Sequence, residues 1–271
     1  MPTCYRHPDR ETGVACSNCG RPICPDCMTS TPVGMRCPEC ARQRTRVRTG
    51  TAAFGRAGAM RVTWALIAIN VAAFLVEIGS GSGGLTGSGT VIDKFSIFGP
   101  KIADGEWSRL LTGAFLHAGL IHIGFNMYAL YILGTLLEPA LGGLRFLALY
   151  FASLFAGSLG VVVLSPNTHA VGASGAIFGL FTAAFVIARG RRLEAIAAQL
   201  GILLVINLAL TFGIPHIAIG AHLFGAAGGM ICGLLVLAGD REALGRNRVG
   251  VETVMMTILG AAAAVAGVAF A

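Results

Sequence analysis

Seven apolar segments, at 62–78, 120–137, 146–164, 174–188, 195–212, 217–237 and 251–271, decide what this chain can fold into. Crossing about 30 Å of hydrocarbon takes roughly 17–25 residues of helix, and these segments approach or meet that length. With 55% of 271 residues hydrophobic and only 12% charged, the chain carries more apolar surface than a soluble core of its size needs. Inside a bilayer every backbone polar group must be satisfied within its own segment, so the spans are expected to be helices. The expected class is an all-α membrane protein.

Basic residues orient the spans, because short cytoplasmic loops carry an excess of Lys and Arg. The first 61 residues hold ten of the twenty; Arg145, then Arg189, Arg191 and Arg192, then Arg241, Arg246 and Arg248 occupy alternate loops. Only Lys94, Lys101 and Arg109 fall in the opposite loops. This pattern predicts a cytoplasmic N-terminus, an extracytoplasmic C-terminus, and an extracytoplasmic 79–119 connection containing the run GSGSGGLTGSG. Topology then accounts for the net charge of +7, and no nucleic-acid partner is expected. The basic stretch Arg42 to Arg48 reads as a topology signal in contact with anionic lipid. With no cleavable signal peptide at the start, the expectation is a multi-pass protein of a bacterial plasma membrane.

Ahead of the first span, residues 1–41 carry Cys4-x-x-His7, Cys16-x-x-Cys19, Cys24-x-x-Cys27 and Cys37-x-x-Cys40. Four ligand pairs supply what two tetrahedral zinc ions require. A disulfide framework is the competing reading, but the inferred compartment is reducing and His7 completes a set of eight that seven cysteines would leave odd. Neighbouring pairs or alternate pairs would each satisfy the metal. So short a segment has little core, so its folding is expected to depend on two structural zinc ions, with no open position for catalysis. Residues 42–61 form a basic juxtamembrane linker. The eighth cysteine, Cys232, sits among small residues in the sixth span and is expected to pack inertly.

Four polar residues interrupt the apolar spans at one depth. Ser174 opens the fourth span in the run Gly172-Ala173-Ser174-Gly175. His222 lies early in the sixth, and His122 with Asn126 occupies one face early in the second. These three spans are expected to run in the same direction, which puts all four residues below the outer surface. Gly175-x-x-x-Gly179 and Gly225-x-x-x-Gly229-x-x-x-Gly233 give the fourth and sixth helices flat faces for close approach. A serine needs a base to become a nucleophile, and a neutral histidine within hydrogen-bond reach is the usual one. The expectation is a Ser174–His222 dyad, unassisted by a carboxylate, with His122, Asn126 and the Ser174 backbone N–H holding an oxyanion.

These residues resemble the rhomboid intramembrane serine proteases. The resemblance rests on GASG at 172–175, AHxxGxxxG at 221–229, His117-x-x-x-x-His122-x-x-x-Asn126, Glu106-Trp107-Ser108-Arg109, and Gly134-x-x-x-Glu138 with Gly142. It covers roughly residues 62–237, implying a six-helix bundle with a cavity open to the extracytoplasmic side. Residues 238–271 add a cytoplasmic loop and a seventh, C-terminal helix. The cysteine-rich unit lies outside that core and is similar to small B-box-like fingers.

The resemblance implies cleavage of transmembrane protein substrates by Ser174 with His222 as base, with no cofactor for catalysis. It also leaves the finger free to engage a cytoplasmic protein. Phe178 stands where some members carry a tyrosine under the imidazole. His117 is expected to anchor a loop, His169 and His216 to be solvated near the cavity mouth, Trp107 to sit at the interface, and Arg109 to donate within its loop. Two other classes are a non-catalytic rhomboid-like protein binding membrane clients, which would be expected to lack Ser174 or His222, and a transporter, which would show mid-membrane charges or an inverted repeat.

Overall fold

The computed structural model describes residues 1–31, 34–42, 60–81, 89–213, 218–241 and 247–271. His216 and most of the 42–61 linker lie outside the described residues. The chain divides into two compact units, Met1–Thr49 and Gly50–Ala271.

The first unit is built from two small antiparallel hairpins. Strands β1 (Thr3–Cys4) and β2 (His7–Glu11) form one, and β3 (Thr29–Thr31) and β4 (Gly34–Arg36) form the other. A one-turn helix at Pro25–Cys27 and the short helix α1 (Pro38–Arg42) complete it. Its buried interior consists of six cysteines and Ile23, with Tyr5 and Met28 packed alongside. A two-stranded hairpin is marginal in water by itself, so so small a core needs a staple.

The second unit is helical. It contains α2 (Arg61–Gly79), the short helices α3 (Thr90–Phe95), α4 (Gly99–Ala103) and α5 (Arg109–Thr112), then α6 (Leu120–Leu141), α7 (Gly143–Leu164), α8 (Ser174–Gly190), α9 (Glu194–Gly213), α10 (Ile219–Arg241) and α11 (Arg248–Ala269). Among the described residues six helices are long and apolar enough to cross a membrane, while α8, at 17 residues, is a shorter apolar helix. The expected fourth span is therefore present but short. At 1.5 Å per residue it measures about 26 Å, less than the ~30 Å hydrocarbon layer.

α8 packs against α6, α7, α9 and α10. Glycine makes this possible. A Cβ on Gly225 would collide with the Gly175 backbone, and one on Gly229 with the Gly179 backbone. The constant offset between the paired positions means that α8 and α10 run parallel, their glycine faces in register. α7 adds Gly157 and Gly160 against Ala221 and Gly220, so three backbones meet without intervening side chains. Dispersion and backbone proximity, not a hydrophobic effect, hold such a contact in lipid.

The two ends of the bundle are tied by buried polar groups. Glu138 near the end of α6 accepts from the N–H groups of Val62 (2.9 Å) and Thr63 (2.8 Å) and from the Thr63 hydroxyl (2.6 Å). A carboxylate at the positive N-terminus of α2 satisfies donors that the helix cannot. Gly142, at φ +83, then turns the chain from α6 into α7. Nearby, the buried Glu252 of α11 pairs with Arg145 (2.7 Å) and Arg248 (2.6 Å), and Asp240 pairs with Arg191 (3.0 Å) and Arg248. At the other end Glu77 of α2 is fully buried and accepts from the His117 backbone N–H at 3.2 Å.

Candidate active site

Ser174 is the first residue of α8, and the segment before it is stitched to the 89–119 connection. Ile97 and Ala170 exchange backbone bonds of 2.9 and 3.0 Å, Gly99 N–H donates to the Pro166 carbonyl, and Gly172 N–H to the Gly113 carbonyl. Gly172 has φ +123, a conformation that L side chains rarely adopt, and this turn sets the direction in which α8 starts. Arg109, buried, supports the connection from below by donating to the Asp93 and Ser96 carbonyls at 2.9 and 3.1 Å and pairing with Glu106. It donates within its loop as expected, while Trp107 is 61% exposed.

His222, buried in α10, places Nε2 2.9 Å from Ser174 Oγ. The Phe178 ring, one turn below the serine, stacks on the imidazole with centroids 4.1 Å apart and planes 18° from parallel. The imidazole is therefore held on one face by an aromatic ring and at one edge by the hydroxyl. Its other nitrogen, Nδ1, lies 2.7 Å from Thr211 Oγ1 near the end of α9. Thr211 went unnoticed in the sequence, because a lone threonine in an apolar helix is unremarkable: its hydroxyl bonds to the carbonyl one turn back in any helix.

His122 is held from the opposite side. The Ala118 N–H donates to its Nδ1 at 3.2 Å, so the neutral ring carries its proton on Nε2. The space that a Cβ on Gly172 would fill lies 2.9 Å from His122 Nε2 and 3.7 Å from Ser174 Oγ. A donor and the serine oxygen thus border one small pocket that only glycine leaves vacant. Asn126, one turn further, is buried and spends one amide N–H on the His122 carbonyl at 2.9 Å. The sequence-predicted residues of α6, α8 and α10 therefore stand at one end of the bundle.

The remaining histidines differ in detail from expectation. His117 is buried and lies edge-on to His122, with ring centroids 5.2 Å apart; its anchoring runs through the backbone bond to Glu77. His169 is exposed but engaged: it stacks on Phe98 at 4.2 Å and its Nδ1 lies 2.7 Å from Ser96 Oγ. Cys232 is fully buried among packed side chains.

In the first unit the eight expected ligands gather in two sets, Cys4, His7, Cys24 and Cys27, and Cys16, Cys19, Cys37 and Cys40. Alternate pairs share a cluster, so the arrangement is a cross-brace. Tetrahedral zinc with Zn–S about 2.3 Å and Zn–N about 2.0–2.1 Å would set its ligand atoms about 3.6–3.8 Å apart. His7 Nδ1 lies 3.8, 3.3 and 3.4 Å from the sulfurs of Cys4, Cys24 and Cys27, and the Cys19 and Cys37 sulfurs are 3.8 Å apart. All eight cysteines are free, and seven of them stand in the two clusters. Backbone N–H groups of Cys37 and Cys40 and the Asn18 amide point at cluster sulfurs at 3.3–3.4 Å, as thiolates require. The donor sets fit metal ions.

A family model described as Rhomboid domain matches residues 104–239, a segment that contains His122, Asn126, Ser174, Thr211 and His222. The chain is 37% identical over 196 residues to the rhomboid protease GluP of Bacillus subtilis (strain 168), a match covering 69% of this chain and 37% of GluP. It is 38% identical over 139 residues to the Bacillus subtilis relative YdcA, covering 49% of this chain and 69% of that relative. Rhomboid-related protein 3 of Homo sapiens is 30% identical over 166 residues, 55% of this chain and 41% of the relative. The chain thus spans from about a third to about two thirds of the length of these relatives.

Proposed function

We propose, on the premise that the chain belongs to the rhomboid family, that it is an intramembrane serine endopeptidase with Ser174 as nucleophile and His222 as base. The observation that carries this reading is the 2.9 Å approach of His222 Nε2 to Ser174 Oγ at the head of the α8–α10 glycine contact. Two helices thereby bring a hydroxyl and an imidazole into hydrogen-bond geometry.

The chemistry follows the acyl-transfer pattern. Ser174 Oγ attacks the scissile carbonyl carbon while its proton passes to His222 Nε2, and the carbonyl π electrons move to oxygen. That oxyanion is met by the Ser174 N–H at the positive N-terminus of α8, by His122 Nε2–H and by the Asn126 amide. Collapse expels the amine, which takes the proton from His222; water then attacks the acyl-serine with His222 again as base. The tautomer of His122 suits a donor, and the small pocket at Gly172 borders both the donor and the nucleophile. A helix as short as α8 would leave Ser174 recessed from the membrane surface, which fits peptide bonds within or beside transmembrane segments of membrane-protein substrates.

The charge pattern supports a site opening to the extracytoplasmic side of a bacterial plasma membrane, with the N-terminal unit in the cytoplasm. There Cys4, His7, Cys24 and Cys27 would hold one structural zinc ion and Cys16, Cys19, Cys37 and Cys40 a second, leaving the surface of the finger for a cytoplasmic protein. The ions would supply folding energy, and catalysis would use none.

The test is cleavage of a single-span substrate by purified full-length protein in liposomes. Ser174→Ala is expected to abolish cleavage, and His122→Ala to lower kcat by about 10²–10³-fold as an oxyanion donor does. Equal cleavage by wild type and Ser174→Ala rejects the protease reading, and capture of the substrate without cleavage by either favours a client-binding protein.

A further inference from the structure

We infer, resting on the catalytic reading above, that Thr211 is a positioning residue that holds His222 in the tautomer its role as base requires. A threonine hydroxyl has one proton to give. Thr211 Oγ1 lies 2.8 Å from the Asn207 carbonyl oxygen, which can only accept, so the proton is spent there. The same oxygen lies 2.7 Å from His222 Nδ1. With its own proton committed, Oγ1 accepts, and Nδ1 must be the donor.

A neutral imidazole carries a single N–H. Holding it on Nδ1 leaves a lone pair on Nε2, the atom 2.9 Å from Ser174 Oγ. The opposite assignment, with the hydroxyl donating to Nδ1, would place the proton on Nε2 and leave Ser174 facing a donor instead of a base. Thr211 is 2% exposed and His222 8%, so water does not compete for Nδ1. The chain of donors therefore runs from Ser174 through His222 and Thr211 to the backbone of α9.

This arrangement stands where a serine-protease triad has a carboxylate, and it does less. A neutral hydroxyl fixes the ring's tautomer and angle without stabilising imidazolium by charge, so its loss costs less than the ~10⁴-fold reported for converting a triad aspartate to asparagine. It also links a third helix to the site: Ser174 and Phe178 belong to α8, His222 to α10, and the tautomer lock to α9. α9 packs on α8 and α10, so its seating sets where Oγ1 stands.

The experiment compares Thr211→Val, which keeps the shape and deletes the acceptor, with Thr211→Ser, which restores it. In full-length protein with a single-span substrate, Thr211→Val is expected to lower kcat by about 10–100-fold with KM within about twofold, while Thr211→Ser stays within about threefold of wild type. Nitrogen-15 NMR of the His222 ring is expected to show Nδ1 protonated in wild type and the proton redistributed toward Nε2 in Thr211→Val. Wild-type kcat in folded Thr211→Val, or a wild-type ring protonated on Nε2, overturns the role of Thr211; the second measurement needs no variant to fold. Ser174→Ala, assayed alongside, separates the two levels: if it is inactive while Thr211→Val is normal, only the tautomer lock falls, and if it cleaves normally the catalytic reading itself falls.

Discussion

The Phe178 ring lies under the His222 imidazole with centroids 4.1 Å apart and planes 18° from parallel, one helical turn below Ser174. The two side chains come from α8 and α10, so the stack exists only while the glycine faces of those helices are seated. It restrains rotation of the imidazole about its own bond, which a hydrogen bond at each nitrogen leaves partly free.

Removing the stack should therefore act on turnover more than on binding. An aromatic pair contributes about 0.5–1.5 kcal/mol beyond area burial. At about 1.4 kcal/mol per tenfold in rate, Phe178→Leu is expected to lower kcat by roughly 2–10-fold with little change in KM. Phe178→Tyr keeps the ring and should remain near wild type. Steady-state kinetics on a reconstituted single-span substrate measures both, and an unchanged kcat in Phe178→Leu would show the ring to be packing alone.

The α8–α10 contact gives a sharper contrast. A Cβ on Gly229 would overlap the backbone of Gly179, which cannot rotate away as a side chain would. Overpacking of this kind costs about 1–3 kcal/mol, and a backbone collision belongs at the upper end. Gly229→Ala is expected to lower the unfolding temperature in detergent and to separate His222 from Ser174, with loss of cleavage. Gly250 in α11 has nothing within 4 Å of a built Cβ, so Gly250→Ala should be neutral or stabilising by up to about 1 kcal/mol. Equal melting temperatures for the two variants would mean that the glycine faces are not what seats the helices.

Much of this was readable in the chain because it is periodic or spaced. The apolar runs, the glycines four apart and the cysteine pairs each follow from a local rule, and the structure places helices, close contacts and clusters on them. Thr211 was not readable, since its value lies in a partner eleven residues on in another helix and its own bond to Asn207 is ordinary helix chemistry. Nor was the partner of Glu138, a carboxylate legible as a helix-end feature but not as the cap of α2, whose Thr63 lies 75 residues earlier. The short helices α3, α4 and α5 lack the length for a periodic signal, yet the connection that contains them carries, at Ile97, Gly99 and Gly113, the bonds that hold the segment leading into Ser174.

Cysteine spacing likewise left two pairings open, because neighbouring and alternate pairs satisfy a metal equally well. The cross-brace separates them experimentally. Replacing Cys16, Cys19, Cys37 and Cys40 together by Ser dismantles one cluster and leaves Cys4, His7, Cys24 and Cys27 whole. Full-length wild type is expected to release two zinc ions per chain on thiol modification, measured with a chromogenic chelator, and the fourfold variant one. Pairing of neighbours would predict none, since each site would then lose two ligands. Structural zinc contributes about 10–16 kcal/mol of apparent binding free energy in small fingers, far more than a core of Ile23, Tyr5 and Met28 can supply. Chelation of the wild type should therefore unfold the 1–42 region and expose it to protease, while the helical unit keeps its helicity by circular dichroism. Persistence of a protease-resistant first unit after both ions are removed would show that the metal is not what folds it.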